Sequence, residues 1–149
     1  MHTNESKIYH SKLIGIDMKL SSKGRYGLKA MCELATHYGE GALSLPQIAA
    51  STGLSEKYLE QLLTALRKDG LVKASRGASG GYYLTAPPDE ITVGSVLRCL
   101  ENGLKIVDCI DGECCNAAGC STRGVWEKLY RAINECLDGM TLAKLTEEQ

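Results

Sequence analysis

No run of apolar residues in this chain approaches the ~18 needed to cross a bilayer, which excludes a helical membrane span. Residues 1–17 carry only scattered apolar side chains (Ile8, Leu13, Ile14, Ile16), without a continuous apolar core or a small-residue cleavage site. No secretory leader is expected, and the chain reads as cytoplasmic. Also missing are a Cys-x-x-Cys pair, a nucleophile–base constellation and a cofactor fingerprint, which argues against an enzyme, a thiol or iron–sulfur carrier included. Histidine does not occur from residue 86 onward, so imidazole is unavailable to any metal site there. There is no internal repeat and no low-complexity tract. A large excess of charge is absent too: the formal net charge is -1, so the bulk balance does not point to nucleic acid.

The distribution of charge is more informative than its sum. Residues 18–85 hold nine basic and five acidic groups, whereas residues 86–149 hold six and eleven, so the two parts carry opposite signs. A basic half suits phosphates, whose neutralisation releases counterions, and an acidic half is best kept away from them. Cysteine is abundant, with seven in 149 residues, and Cys109, Cys114, Cys115 and Cys120 fall close together. In a reducing compartment such thiols point to metal or redox chemistry and not to a disulfide framework.

Length favours one compact domain with an appended element. Residues 1–17 are set aside as a flexible extension. Leu28, Met31, Ala35 and Tyr38 recur at helical spacing, predicting a first helix over residues 22–38, capped by Ser21 or Ser22 and ended by Gly39. Ser44 and Pro46 open a short second helix that stops at Thr52-Gly53. Ser55 caps a third, in which Leu54 and Leu59 form a hydrophobic staple and Leu59, Leu62, Leu63 and Leu66 a buried stripe. Leu71–Ala74 and Tyr82–Thr85 read as strands of a hairpin around a glycine-rich loop. Pro87-Pro88 marks a boundary, Thr92 caps a helix over residues 93–100, and the cysteine-rich loop follows. Helical periodicity returns over residues 122–140, with a last turn to Leu145. Cys32, Cys99 and Cys136 lie at helical positions as small core residues.

The fold class is therefore mainly α with a small β-hairpin wing: a winged helix-turn-helix over residues 18–86, a short helix and cysteine-rich loop over 87–121, and a long C-terminal dimerisation helix and tail over 122–149. Ala49, Gly53 and Leu59 supply the small residue, left-handed turn and apolar anchor that a helix-turn-helix requires. The third helix would lie in the major groove of double-stranded DNA and lead with its N-terminal residues. Gln61 can pair bidentately with adenine and Glu60 can accept from the amino group of cytosine, while Ser55, Lys57 and Tyr58 suit phosphates. In the wing, Lys73 and Arg76 add positive charge, and Gly77 and Gly80 let the backbone approach a phosphate or minor groove. A phosphate-binding P-loop is excluded, because no Gly-Lys-Ser/Thr follows and no helix starts there.

Three stretches taken together, Met18-Lys-Leu-Ser-Ser-Lys-Gly-Arg-Tyr-Gly, Leu54-Ser-Glu-Lys-Tyr-Leu-Glu-Gln-Leu and Arg76-Gly-Ala-Ser-Gly-Gly-Tyr, resemble the IscR family of repressors, from about Met18 to Leu145. The resemblance implies a homodimeric winged-helix regulator with a long C-terminal dimer helix and, before it, a loop that in IscR-like members holds an iron–sulfur cluster through three cysteines. Cys109, one of Cys114 and Cys115, and Cys120 match that arrangement; CymR-like members of the family, which regulate cysteine metabolism, lack it. Two departures stand out. The position of the family's histidine ligand is Arg123, and the position at which NsrR-like members use an acidic ligand is Arg25.

Thiolates are good ligands for soft iron. The expected cofactor is an iron–sulfur cluster of the 2Fe–2S type, with zinc as the alternative occupant. Either Cys114 or Cys115 satisfies the spacing, and the spare cysteine, Asp108, Asp111 or Glu113 is available as fourth ligand. The expected function is a DNA-binding repressor that senses cluster status or oxidative and nitrosative stress; a CymR-like repressor without a cluster is the alternative. Trp126, Leu129, Tyr130, Ile133, Leu137 and Met140 exceed what one small domain needs to cover, so a symmetric partner and a palindromic operator are expected.

Overall fold

The computed structural model describes residues 20–111, 114 and 118–147. The expected extension at residues 1–17, the candidate ligand Cys115 and the carboxylate of Glu113 lie outside the described residues. The element order is α1 (Ser22–Thr36), α2 (Leu45–Thr52), α3 (Glu56–Lys68), β1 (Val72–Ser75), β2 (Gly81–Leu84), α4 (Val93–Glu101), α5 (Asp108–Asp111), α6 (Arg123–Asp138) and α7 (Leu142–Glu147). This is the mainly helical fold with a hairpin wing that the patterning implies.

Each of the first three helices starts where a hydroxyl side chain can take an orphan backbone amide. Ser21 accepts from Gly24 N, Ser44 from Gln47 N and Ser55 from Tyr58 N. At α2 the Gln47 side chain returns the bond to Ser44 N, completing a capping box. Gly53 ends α2 at φ +73°, a left-handed conformation that glycine adopts without a Cβ penalty.

The core is one cluster. Met31, Ile48, Leu59, Leu63 and Leu66 are fully buried, and α3 contributes Leu59, Leu62, Leu63 and Leu66 to it. Burying each leucine is worth about 1.5–3 kcal/mol. That stripe, more than helix propensity, dictates which face of α3 is left to solvent. From the second half of the chain, α4 adds Val96 and Leu100 and α7 adds Leu142 to the same core. Two backbone bonds, Val93 N to Met140 O and Leu142 N to Ile91 O, tie the start of α4 to the start of α7.

Several boundaries differ from expectation for local reasons. Helix α1 stops at Thr36 instead of Tyr38, because Tyr38 N bonds to Ala35 O and the last turn tightens. The hairpin is displaced by one residue on each strand, pairing Val72 with Leu84 and Ser75 with Gly81. Leu71, expected in the first strand, instead closes α3 by donating its amide to Leu66 O, while Thr85 binds back to the carbonyls of Gly70 and Leu71. Cys109 sits not in an irregular loop but in the single turn of α5. Cys32 and Cys99 pack against the core as expected, but Cys136 is exposed. Helical spacing places Cys136 on α6 correctly; it cannot reveal that α6 buries no residue within its own chain.

Candidate nucleic-acid interface and cysteine segment

The exposed half of α3 carries the side chains singled out for DNA reading. Ser55, Lys57, Glu60 and Gln61 are exposed and Tyr58 is half-buried, above the buried leucines. Ser55 Oγ accepts the Tyr58 amide, so the first turn is held at the end that would lead into a groove. Glu56 lies in the first turn and Arg67 and Lys68 in the last, the charge order that complements the helix dipole.

The wing is built to bring backbone to its tip. Lys73, Arg76 and Gly77 are exposed, and Gly80 is half-buried. Gly77 adopts φ +105°, and Gly80 N bonds to Gly77 O, closing the turn. A Cβ at Gly80 would collide with the Ser75 carbonyl oxygen at 2.5 Å, so the tight tip requires glycine there. The wing is anchored by a two-bond bridge in which Leu43 and Tyr82 exchange their amides and carbonyls at 2.9 and 2.8 Å.

Sequence reasoning passed over the contribution of α1 to this face. Tyr26, on its second turn, stands edge-on to Tyr58 with ring centroids 6.1 Å apart, and the Arg25 guanidinium lies 5.6 Å from the Tyr26 centroid. Lys23 lines a cleft of about 150 Å3 together with Tyr58 and Gln61 of α3 and Cys99 and Asn102 at the end of α4. Glu101 Oε1 accepts from Ser21 N, Ser21 Oγ and Gly24 N at 3.0, 2.8 and 3.1 Å. Gly24 and Gly27 are the legible trace of this contact: a Cβ on either would strike Glu101 or Leu100, so two glycines three apart on α1 permit α4 to lie close.

In the cysteine segment, Cys109, Cys114 and Cys120 are half-buried free thiols. The Thr122 hydroxyl, 3.4 Å from Cys120 Sγ, and the Thr122 backbone amide lower the Cys120 pKa from the ordinary thiol value. Among the described residues no three metal-ligating side chains are gathered into one group. Asp108 opens α5; nothing is added here on the side chains of the other carboxylates considered as ligands. Arg123, at the family's histidine position, pairs with Glu127 one turn along α6 at 2.7 Å.

Beyond that segment, α6 shows solvent an apolar stripe. Val125 is 59% and Leu129 36% exposed, and Trp126, Tyr130, Ile133 and Leu137 are only half covered. The helix is attached to the body through α4, where Arg98 donates to Asn134 Oδ1 at 2.9 Å and pairs with Asp138. Any signal from α6 to α3 therefore has α4 in its path. No helix among the described residues is long and apolar enough to cross a membrane.

Comparison with known proteins returns a consistent picture. The family profile Rrf2, "Iron-dependent Transcriptional regulator", matches residues 20–148. CymR of Bacillus subtilis (strain 168), an HTH-type transcriptional regulator, is 47% identical over 128 residues, covering 86% of this chain and 89% of that protein. A solved structure of CymR, described as the global cysteine regulator of B. subtilis, superposes with a TM-score of 0.76 at 45% identity, over 88% of this chain and 98% of that one. IscR of Aliivibrio salmonicida (strain LFI1238), also an HTH-type transcriptional regulator, is 43% identical over 129 residues, 86% of this chain and 77% of that protein. The solved structure of T. potens IscR superposes with a TM-score of 0.71 at 48% identity, over 87% of each chain.

Proposed function

The chain belongs to the Rrf2 family of transcriptional regulators, and from that premise we propose that it represses transcription as a homodimer, α3 entering the major groove of a palindromic operator and the β1–β2 wing lying against the adjacent backbone. The observation that carries this reading is the division of α3: four leucines are buried and Ser55, Lys57, Glu60 and Gln61 are left free on a capped, exposed N-terminal half. Gln61 and Glu60 are the base readers; Ser55, Lys57, Tyr58, Lys73, Arg76, Gly77 and Gly80 meet phosphate or groove wall. The uncovered apolar stripe of α6 is the natural seam for a second copy, and a two-fold axis there sets two recognition helices one helical turn of DNA apart, or a multiple of it.

The same reading assigns the segment 109–120 a sensing role. The donor set fits an iron–sulfur cluster by its chemistry, since soft thiolates are supplied and imidazole is not. Cys109, Cys120 and one of Cys114 and Cys115 would hold it, the fourth position being taken by the spare cysteine or a nearby carboxylate. Such a group, when bound, supplies a centre sensitive to oxidants and nitric oxide. The chain's own part is mechanical: α5 and α6 flank the segment, and Arg98 passes the position of α6 to α4. A second reading, a CymR-like regulator without a cluster, draws support from the close match to B. subtilis CymR.

Binding to duplex DNA from the chain's own upstream region, weakening steeply with salt, tests the DNA reading; its absence for every duplex at modest ionic strength overturns it. Anaerobic absorption spectra with iron and zinc analysis separate the two sensor readings. Visible charge-transfer bands that vanish in Cys109→Ala/Cys120→Ala support the cluster. Iron-free protein that binds DNA fully supports the CymR-like reading, and stoichiometric zinc supports a structural site.

A further inference from the structure

We propose that the first two turns of α1 form a second phosphate-binding surface, in which Lys23 and Arg25 grip the DNA backbone bordering the groove that α3 enters. The inference rests on the reading of α3 as the groove-reading helix and extends it to an element outside the helix-turn-helix and the wing.

Four observations converge on it. The Tyr26–Tyr58 contact fixes α1 against the N-terminal half of α3, the end assigned to the groove. Lys23 shares a cleft with Gln61, so its ammonium lies at the margin of the proposed base-reading surface. Lys23 and Arg25 are exposed, and neither forms an ion pair among the described residues. The first turn of α1 contains no acidic residue, and the carboxylate that approaches it, Glu101, is occupied by the Ser21 and Gly24 donors.

Dimensions then favour phosphate over base edges as the partner. The major groove is about 12 Å wide and a helix with its side chains is about 10–12 Å across, so α3 alone fills it. A helix packed beside α3 stands over the groove wall, where the sugar–phosphate chain runs. Lys23 offers a mobile ammonium. Arg25 offers a planar fork that matches a phosphate, steadied by the face of Tyr26. Lys29, one turn further on, is excluded from this role because its Nζ is engaged by the Thr52 carbonyl at 2.7 Å.

The test uses the full chain with Lys23→Gln/Arg25→Gln, which keeps the aliphatic stems and removes both charges. Binding is titrated across a salt series against duplex DNA from the chain's own upstream region and a scrambled duplex of equal length. Two lost phosphate contacts should flatten the slope of log affinity against log salt by about 1.8. Affinity should fall by the same factor on both duplexes, leaving the ratio between them and the melting temperature unchanged. An unchanged slope, while the parent chain binds with strong salt dependence, overturns this proposal and leaves the function of α3 standing. A lowered melting temperature transfers the test to Arg25→Lys, which retains charge; flattening that persists there assigns the loss to packing and also overturns it. A parent chain that binds neither duplex removes the underlying reading.

Discussion

Glu101, the last residue of α4, accepts hydrogen bonds from the backbone amides of both Ser21 and Gly24, eighty and seventy-seven positions earlier in the chain. A single carboxylate thus serves as a cap for α1 from outside that helix, and joins the element preceding the cysteine segment to one that borders α3. Removing it as Glu101→Ala leaves those amides to water and takes a negative charge from a helix N-terminus. A cost of about 1–2 kcal/mol is expected in urea or thermal unfolding. Glu101→Gln keeps the acceptor and should lose less than half of that. Equal losses for the two variants would show that the charge, and not the hydrogen bonds, is what α1 uses.

The pairing of Arg98 with Asp138 and Asn134 holds α6 to the body, but its side chains are over a third exposed, so solvent screens much of the attraction. In a double-mutant cycle with Arg98→Ala and Asp138→Ala the coupling energy should be about 1 kcal/mol or less. The larger effect should be local: amide exchange over residues 123–138 rises in Arg98→Ala while that of α1 and α3 does not. Uniform acceleration across the chain would place this pair in the global core.

Much of this architecture was legible in the sequence because the signals are local. Ser44, Ser55 and Thr92 announced helix starts, Gly53 a left-handed stop, and the α3 leucines their own burial. What escaped is long-range. Nothing near Glu101 says that its carboxylate will meet Ser21, and only the Gly24/Gly27 spacing records that α1 and α4 lie close. Cys136 was misplaced for a related reason: a periodic apolar face states that a helix will be covered, not by which chain. On the DNA face, the sequence order that marks a helix-turn-helix drew attention to residues 55–61 and away from Tyr26, which joins them only through folding.

Cys99 tests the packing between α3 and α4. Burial, reinforced by the charge and hydrogen bond of Asp69, pushes its thiol up to about 11, and its Sγ lies 3.6 Å from the Ala65 carbonyl. The neutral thiol is the form the fold prefers, so this contribution to stability is full below about pH 8.5 and is lost as pH rises through about 11. At pH 8, iodoacetamide should modify exposed Cys136 well before Cys99, and urea should abolish the difference. Mass-resolved peptides report both rates. Equal rates in the native protein would contradict the raised value.

His37, beside the wing, gives a pH signature. Its pKa is raised, first by the hydrogen bond to Glu40 at 2.7 Å and then by the charges of Glu40 and Glu33. The protonated ring is favoured in the fold, so its stabilising contribution is complete below about pH 6.5 and disappears as pH rises through the higher folded value. Ring resonances followed by NMR should therefore titrate above 6.5, and Glu40→Gln should move the midpoint down. The site is exposed, so the change should appear in the midpoint with little effect on melting.

The sharpest prediction for the DNA face contrasts Gln61 with Arg76, the first placed to meet base edges and the second at the wing tip. Gln61→Ala removes a bidentate partner for adenine and should cost about 1–3 kcal/mol on the preferred operator, with little change on a duplex altered at the contacted base pair. Arg76→Ala should weaken binding to all duplexes by a similar factor and reduce the salt slope by about 1. Competition titrations with single-base-pair variants separate the two patterns. The assignment fails if Gln61→Ala loses affinity evenly over every variant, for then α3 touches backbone and not bases at that point. It fails equally if Arg76→Ala changes preference among sequences without changing the salt slope, since a tip that reads sequence is not holding phosphate.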